Sequence, residues 1–114
     1  MLKLGIIGTG AISHHFVDAA HTCGKFQLLA VYSRKIETAE KFASHYQDVT
    51  LFDQLEDFFK HPFDVVYIAS PNSLHFSQAK ISLVAGKHVI LEKPAVTKPQ
   101  EWQDLVQTAK DNKC

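Results

Sequence analysis

The stretch that decides the fold is K-L-G-I-I-G-T-G-A-I-S, at residues 3–13. The apolar run at residues 4–7 is typical of a short buried strand, and a helical pattern begins at once with Ala11. Between them, Gly8 can adopt backbone angles closed to other residues, while Gly10 has no Cβ to keep a phosphate away from the main chain. The stretch therefore predicts a strand, a tight glycine turn and a helix.

The chemistry that such a turn suits is the binding of a pyrophosphate. The start of the following helix offers unpaired main-chain N–H groups and the positive end of the helix dipole to an anion. Ser13 occupies the third small position of the dinucleotide motif, and serine is small enough for close helix packing. An ordinary strand-to-helix turn without a ligand stays open as the alternative. The predicted cofactor contacts in this turn are Gly8, Thr9, Gly10, Ala11 and Ile12.

Length and composition narrow the function classes. A chain of 114 residues fits one domain, which we expect to span residues 1–114. Twelve basic and twelve acidic residues cancel without a basic stripe, so nucleic acid is not an expected partner. No apolar run approaches the roughly 18 residues that cross a bilayer, and no membrane contact is expected. Two cysteines suit a cytoplasmic protein without a disulfide framework, and seven scattered histidines predict no metal site.

Strands and helices alternate along the whole chain. Strand-like apolar runs follow the first strand at residues 27–33, 49–52, 64–69 and 88–91. Unbroken alternation predicts an α/β fold with a doubly wound parallel Rossmann sheet in the order 3-2-1-4-5, with a possible extra edge strand. The cleft then lies between strands one and four, where ligands bind in open α/β sheets. Its flanking loops are residues 8–13 and 70–75.

Helical spacing also predicts details of the helices. We expect Gly24 to end the first helix, and Asp53 and Ser73 to cap later ones. The last helix is expected to open at Thr97, with Pro99 in its first turn. The predicted inner face of the first helix is Ile12, Phe16, Ala19, Ala20 and Cys23, and that of the last helix is Trp102, Leu105, Val106 and Ala109.

The residues after the second strand discriminate between cofactors. Ser33, Arg34 and Lys35 lie about 20 residues beyond the glycine turn, where the adenosine ribose is expected. An acidic residue there would bind both ribose hydroxyls and repel a 2′-phosphate, and none is present. Arg34 offers a planar donor fork and Lys35 a positive charge, both suited to a phosphate. We therefore predict NADP(H), with NAD(H) possible, and the alternative is that both cations only solvate a helix start.

Longer motifs resemble those of a known family. They read G-I-I-G-T-G-A-I at residues 5–12, V-Y-S-R at 31–34, D-V-V-Y-I-A-S-P-N-S-L-H at 64–75 and A-G-K-H-V-I-L-E-K-P at 85–94. In this order they resemble the N-terminal half of the Gfo/Idh/MocA oxidoreductases, the family of glucose–fructose oxidoreductase and inositol 2-dehydrogenase. The last two segments are much more discriminating than the glycine turn.

The resemblance implies hydride transfer between a secondary alcohol carbon of a sugar, polyol or related diol and C4 of a nicotinamide. In that family the lysine of E-K-P reaches the oxygen of the reacting carbon, which implies that Lys93 is catalytic and lies beside the cofactor. An ammonium can stabilise a developing alkoxide or transfer a proton, although its ordinary pKa of about 10.4 must be lowered for it to act as a base. The alternative for Lys93 is an exposed lysine at a strand end.

The resemblance also implies contacts from other residues. Glu92 is expected to contact the nicotinamide ribose side or to hold Lys93. The loop that matches the family's loop beside the cofactor contains Ser70, Pro71, Asn72 and His75. For Asn72 and His75, a capping asparagine and a surface histidine remain the structural alternatives.

The family has two domains, and its second domain supplies the substrate pocket and the oligomer interface. We expect residues 1–114 to be the cofactor-binding half, without the C-terminal α+β domain, and to be close to inactive alone. The full-length protein is expected to bind a small sugar-like or polyol substrate and to form a homo-oligomer. Two other classes stay open, a non-catalytic NAD(P)-binding module and a Rossmann-like domain for another adenine ligand such as S-adenosylmethionine.

Overall fold

The computed structural model describes residues 1–92 and 98–114. Its strands are β1 Leu2–Ile7, β2 Phe26–Tyr32, β3 Thr50–Phe52, β4 Val65–Ile68 and β5 His88–Leu91. Its α-helices are α1 Ala11–Cys23, α2 Ile36–Ala43, α3 Leu55–Lys60, α4 His75–Val84 and α5 Pro99–Asp111, and a 3-10 turn over Asn72–Leu74 precedes α4. The five strands form one sheet in the order β3-β2-β1-β4-β5, and every neighbouring pair is parallel. The predicted Rossmann fold and the order 3-2-1-4-5 are confirmed.

The sheet is covered on both faces by apolar side chains. One cluster joins one face of β1, β2 and β4 to α1 and α2, through residues such as Val17 and Phe42. The other joins the opposite faces of the same strands to α3, α4 and α5, through residues such as Phe58 and Leu83. All four residues of β4 are buried, as expected for a central parallel strand covered by helices on both sides. Full burial of a side chain such as Phe58 contributes roughly 1.5–3 kcal/mol.

The predicted inner face of α1 is wrong in part, since Ala20 is buried and Phe16 packs against the core as predicted, but the ends of the stripe are not buried. Ser13, Val17 and Ala20 are buried, whereas Ile12 is 49% exposed and Cys23 is also exposed. Ser13 is fully buried, so the buried side of α1 is rotated by about one residue from the predicted side. Gly24 ends α1 as predicted, in the left-handed conformation with φ 78°.

The predicted inner face of α5 is also wrong in part. Leu105 and Thr108 are the buried residues, whereas Trp102 is 53% exposed and Val106 is partly exposed. The helix packs beside α4 at the β5 edge of the sheet, where no further described element covers its outer side. Its apolar stripe is therefore wider than the surface that buries it.

Two predicted helix caps are wrong. Helix α3 begins after Gln54 without a side-chain cap, so Asp53 does not cap it. Ser73 lies inside the 3-10 turn, and α4 begins two residues later. Pro99 is the first residue of α5, as its fixed φ favours, and the predicted opening at Thr97 lies outside the described residues.

We expect the substitution Ser13→Ala to raise the free energy of unfolding by about 1 kcal/mol. The Ser13 side chain is fully buried, and its hydroxyl has no hydrogen-bond partner among the described residues. Such a group costs about 1–3 kcal/mol, and alanine removes it without leaving a large cavity. Urea denaturation followed by circular dichroism measures the change.

Ser82→Ala is the matched control. Ser82 is also fully buried in a helix, but its hydroxyl donates to the Gln78 carbonyl at 2.7 Å. Ser82→Ala removes this hydrogen bond, so we expect its free energy of unfolding to be lower than that of Ser13→Ala. Equal effects of the two substitutions would show that the missing partner of Ser13 has no energetic consequence.

Candidate cofactor-binding site

A cleft of about 370 Å³ opens at the carboxyl ends of β1, β2 and β4. It brings together three segments that are far apart in sequence, at the glycine turn, after β2 and after β4. The lining residues are Ile7, Gly8, Thr9, Gly10, Tyr32, Ser33, Arg34, Lys35, Thr38, Ala69, Ser70, Pro71, Leu74 and Gln78. The cleft thus lies between strands one and four, at the point where the strand order reverses.

The other predicted site residues lie beside the cleft or outside the described part of the chain. Ala11 and Ile12 are exposed in the first turn of α1, and Asn72 is exposed at the start of the 3-10 turn. Glu92 follows β5 directly and is partly buried. Lys93 lies outside the described part of the chain, which leaves out residues 93–97.

The glycine turn is held against β4 by the main chain. Gly8 has a φ of 110°, and a Cβ at this position would lie 2.7 Å from the carbonyl carbon and oxygen of Ala69. The Ala69 N–H also donates to the Ile7 carbonyl at 2.9 Å. Any side chain at residue 8 is therefore excluded both by backbone strain and by contact with the neighbouring strand.

Gly10 is built differently from Gly8. Its backbone is extended, with φ −84° and ψ −178°, and a Cβ would meet no atom within 4 Å. The fold itself thus does not require glycine at residue 10, and the open space adjoins the cleft. The first N–H of the α1 region that binds a main-chain carbonyl is that of Ser13, at 3.1 Å from the Gly10 oxygen. The N–H groups of Ala11 and Ile12 have no main-chain acceptor among the described residues, and these donors fit an anion.

Residues of α4 form hydrogen bonds to the loop after β4, which is one wall of the cleft. His75 is 1% exposed, and its Nε2 lies 2.7 Å from the Ser70 carbonyl oxygen. The Ser70 hydroxyl donates to Oε1 of Gln78, which is also buried. The surface-histidine alternative for His75 is therefore wrong, because its ring lies inside the protein. His75 orients the loop without lining the cleft.

Glu92 is fixed at the end of β5. Its main-chain N–H donates to the Ile68 carbonyl at 3.0 Å, and its carboxylate accepts a hydrogen bond from the Tyr67 hydroxyl. Burial, followed by the hydrogen bond and the charge of Glu92, raises the pKa of Tyr67 above its ordinary range. Tyr67 therefore stays protonated and donates over the physiological pH range, while its ring stacks on Phe16 with centroids 4.0 Å apart.

The end of the cleft beyond β2 is rich in donors. The Ser33 N–H binds the Phe52 carbonyl at 3.0 Å, and the Ser33 and Thr38 hydroxyls are hydrogen-bonded to each other. Arg34 and Lys35 are exposed at the rim. No Asp or Glu occurs among the described residues that line the cleft.

Sequence reasoning missed six lining residues: Ile7, Tyr32, Thr38, Ala69, Leu74 and Gln78. Thr38 carried a usable signal, since it is the hydroxyl-bearing residue in the first turn of the helix after strand two. Gln78 lies one turn after His75 on α4, so the same helix face could have indicated it. No local pattern distinguishes the other four, Ile7, Tyr32, Ala69 and Leu74, from core residues.

A parallel sheet in this order, with a glycine turn and free helix N–H groups at the reversal point, defines a Rossmann-type dinucleotide-binding domain. The model of the oxidoreductase family with an NAD-binding Rossmann fold, Gfo/Idh/MocA, matches residues 2–114. The chain therefore belongs to the Gfo/Idh/MocA family, as the sequence motifs predicted.

Named relatives span a longer chain. The uncharacterised oxidoreductase YgjR of Escherichia coli strain K12 is 43% identical over 98% of this chain and 34% of its own length. The scyllo-inositol 2-dehydrogenase (NADP(+)) IolU of Bacillus subtilis strain 168 is 41% identical, with the same shares. This chain thus spans about a third of the length of these relatives.

The solved structures agree with the fold. The 3-ketoreductase KijD10 from Actinomadura kijaniata, in complex with NADP and TDP-benzene, superimposes with a TM-score of 0.90 at 25% identity. The match covers 97% of this chain and 34% of KijD10.

Within residues 1–92 and 98–114, no helix has the length and apolar character needed to cross a membrane.

Two glycine substitutions should separate folding from binding. Gly8→Ala should lower the free energy of unfolding by at least about 2 kcal/mol, because φ 110° and the 2.7 Å contact are both prohibitive for alanine. Gly10→Ala should cost less than about 1 kcal/mol, since only a helix N-cap preference changes. It should nevertheless weaken NADPH binding at least about tenfold, because its methyl group occupies the approach to the main chain.

Urea denaturation and calorimetric titration of NADPH measure the two effects. Gly24→Ala, at another glycine whose Cβ would meet nothing but which lies away from the cleft, is the control for binding. Unaltered NADPH affinity of Gly10→Ala would contradict a pyrophosphate site at this turn.

Proposed function

We propose that residues 1–114 are the cofactor-binding part of a nicotinamide-dependent oxidoreductase and that the preferred cofactor is NADP(H). The observation that carries this proposal is one continuous cleft, which runs from the glycine turn, beside the N–H groups at the start of α1, to Ser33, Arg34 and Lys35. Its two ends suit the two anionic parts of this cofactor, the pyrophosphate and the 2′-phosphate.

The preference for NADP(H) over NAD(H) rests on charge. Arg34 and Lys35 at the rim attract a phosphate, and the described lining holds no carboxylate that would repel it. The name of IolU specifies NADP(+), and KijD10 was solved with NADP, which supports the same assignment here. NAD(H), which carries a ribose hydroxyl in place of this phosphate, would gain nothing from the two cations.

We propose that the whole protein acts on a secondary alcohol of a sugar, polyol or diol. The names of IolU and of the D-glucoside 3-dehydrogenase of Escherichia coli, which is 30% identical, indicate such substrates for these relatives. The bound nicotinamide would accept or supply the hydride at its C4. Lys93 would hold or transfer the proton of the alcohol oxygen, and it directly follows Glu92, which Tyr67 and Ile68 fix at the end of β5.

The substrate pocket is proposed to need residues beyond this chain. The cofactor cleft is built from residues 7–78, while the relatives are about three times as long. We propose that a second domain completes the pocket and a homo-oligomer interface, and that this chain alone turns over little substrate. A cytoplasmic location remains a prediction from composition.

Arg34→Ala should weaken NADPH binding about tenfold or more, because a hydrogen bond to a charged group contributes about 1.5–3 kcal/mol. NADH binding should change less than about twofold, since the lost partner is the 2′-phosphate. Calorimetric titration of the chain with both cofactors measures this, and Lys41→Ala, an exposed cation of α2 outside the cleft, is the control. Tighter binding of NADH than of NADPH by the unsubstituted chain would refute the preference, and tighter binding of S-adenosylmethionine than of either would refute the cofactor class.

Lys93→Met in the full-length protein should lower kcat by about 10²–10⁴, the usual contribution of a positioned acid–base group. The Kd for NADPH should stay within about threefold, because the main cofactor contacts lie elsewhere in the cleft. Steady-state kinetics with scyllo-inositol and D-glucosides measure the change in kcat. Lys98→Met, at an exposed lysine, is the control. Unchanged turnover would remove Lys93 from the chemistry, and absence of turnover by the unsubstituted protein on every polyol would favour a non-catalytic NAD(P)-binding module.

A further inference from the structure

The side chain of Gln78 is a buried amide at the wall of the cofactor cleft. Gln78 is 6% exposed and lies one turn after Leu74, and both residues line the cleft. The Gln78 Oε1 accepts a hydrogen bond from the Ser70 hydroxyl. An amide has distinct oxygen and nitrogen ends, so this contact fixes the oxygen end of Gln78 at Ser70.

The nitrogen end of the same amide has no protein partner. Among the residues that the structure describes, none accepts a hydrogen bond from the Gln78 Nε2. In that part of the chain, the Ser13 hydroxyl is the one side-chain polar atom that is sealed from solvent without a partner, so Nε2 is accessible. Because Gln78 is otherwise buried and lines the cleft, we infer that its Nε2 donor faces the cleft.

Such a donor places a requirement on any ligand that fills the cleft beside it. Water satisfies the donor while the cleft is empty of ligand. A ligand that displaces this water without offering an acceptor leaves a largely buried N–H group unpaired, which weakens binding. The group beside Gln78 should therefore be a hydrogen-bond acceptor.

The position of Gln78 along the cleft indicates which part of the proposed cofactor it meets. The proposed pyrophosphate site is the glycine turn, and the proposed 2′-phosphate site is residues 33–35. The adenosine ribose connects these two groups, and its base is attached to the carbon next to the one that carries the 2′-phosphate. The wall that neither phosphate site occupies is formed by the loop after β4 and the start of α4, with Pro71, Leu74 and Gln78. The base is the part of the cofactor left for this wall.

The side chains of this wall suit a neutral heterocycle. Pro71 and Leu74 offer apolar surface to a flat ring. The described residues that line the cleft from this side carry no charged group, and their polar side chains are those of Ser70 and Gln78. A base with both polar edges and apolar faces fits such a wall better than a phosphate.

We propose that Gln78 recognises the adenine base of the cofactor and that Ser70 orients the Gln78 amide for this contact. This inference rests on the proposed function, because it assigns a base-recognition site within the cofactor cleft. The amide presents the Nε2 donor beside Oε1, which has a second lone pair besides the one that Ser70 uses. Adenine presents the complementary pair, a ring nitrogen that accepts and an adjacent amino group that donates, and a glutamine amide can bind both.

The same arrangement discriminates against hypoxanthine. Hypoxanthine carries an oxygen in place of the amino group of adenine, so that a second acceptor would face the Gln78 Oε1. A complementary pair would require the amide to turn end over end, and the Ser70 hydroxyl would then lose its acceptor. The contact with Ser70 therefore makes the amide selective for adenine.

The test is calorimetric titration of the chain with NADPH and with nicotinamide hypoxanthine dinucleotide phosphate, its deamino analogue. The unsubstituted chain should bind NADPH about 3- to 10-fold more tightly than the analogue, which is the usual contribution of one neutral hydrogen bond. Gln78→Met keeps the length of the side chain but removes the amide. It should weaken NADPH binding about 3- to 10-fold and bind the two cofactors within about 1.5-fold of each other.

The ratio of the two affinities separates recognition from a structural effect. A substitution that only disturbed the wall would weaken both cofactors alike and leave their ratio unchanged. Gln107→Met is the matched control, because Gln107 is an exposed glutamine of α5 away from the cleft, whose amide donates to Asp111 at 2.9 Å. This control should leave both affinities unchanged. Thermal denaturation of each variant shows that it is folded, and Gln78→Ala replaces Gln78→Met if the latter is not.

Ser70→Ala tests the orienting contact. Without the Ser70 hydroxyl, the Gln78 amide can turn to match either base, so the preference for NADPH over its deamino analogue should fall below about twofold. The rest of the cofactor is identical in the two ligands, so any other contact of Ser70 cancels in this ratio. A preference that Ser70→Ala retains would overturn the orienting role of Ser70.

The outcomes distinguish this inference from the proposed function. Equal affinity of the unsubstituted chain for NADPH and its deamino analogue would overturn the recognition of adenine by Gln78, and so would a preference that Gln78→Met retains. If the unsubstituted chain binds neither NADPH nor NADH, the proposed cofactor class is wrong and the inference is wrong with it. If the chain prefers NADH, only the phosphate assignment is wrong, and NADH with its own deamino analogue then provides the same test of Gln78.

Discussion

The close approach of the glycine turn to β4 is the constraint on which the remaining structure of the cleft depends. Gly8 lies where a Cβ would be 2.7 Å from the main chain of Ala69, and the Ala69 N–H binds the Ile7 carbonyl at 2.9 Å. These contacts set the distance between strands one and four at their carboxyl ends. They also place the start of α1, with its free N–H groups, beside the loop that begins at Ser70. The same contacts therefore position both the anion site and the opposite wall of the cleft.

Two polar residues of the cleft, Ser70 and Ser33, are each held by hydrogen bonds to neighbouring residues. Ser70 is bound by His75 and Gln78, and Ser33 is bound by Phe52 and Thr38. A ligand that binds here meets groups whose directions are already set, which reduces the ordering cost of binding. The same arrangement explains why buried residues such as His75 matter to a cleft that they do not line. Glu92, held by Tyr67, extends this organisation to the end of β5.

Much of this site could be predicted from local sequence, and the failures have a common cause. The glycines and the run from Ser33 to Lys35 lie at the ends of strands whose order follows from strict alternation, so their meeting at one edge required no knowledge of side-chain packing. Thr38 and Gln78 line the cleft because of the way α2 and α4 are turned about their own axes, which local sequence does not determine. Helical periodicity defines an apolar stripe, but the stripe of α1 was displaced by one residue, and that of α5 was wider than its buried surface.

The sequence by itself determined the fold, the strand order, the position of the glycine turn and the family, because strand and helix periods and a contiguous motif are local properties of the chain. Only the tertiary structure decided that His75 is buried, that Ser13 faces the sheet and that the Thr38 hydroxyl is bound to Ser33. Burial and hydrogen-bond partners depend on which surfaces meet. The packing of helices on a twisted sheet determines which surfaces are in contact, and it brings together residues that no local pattern relates.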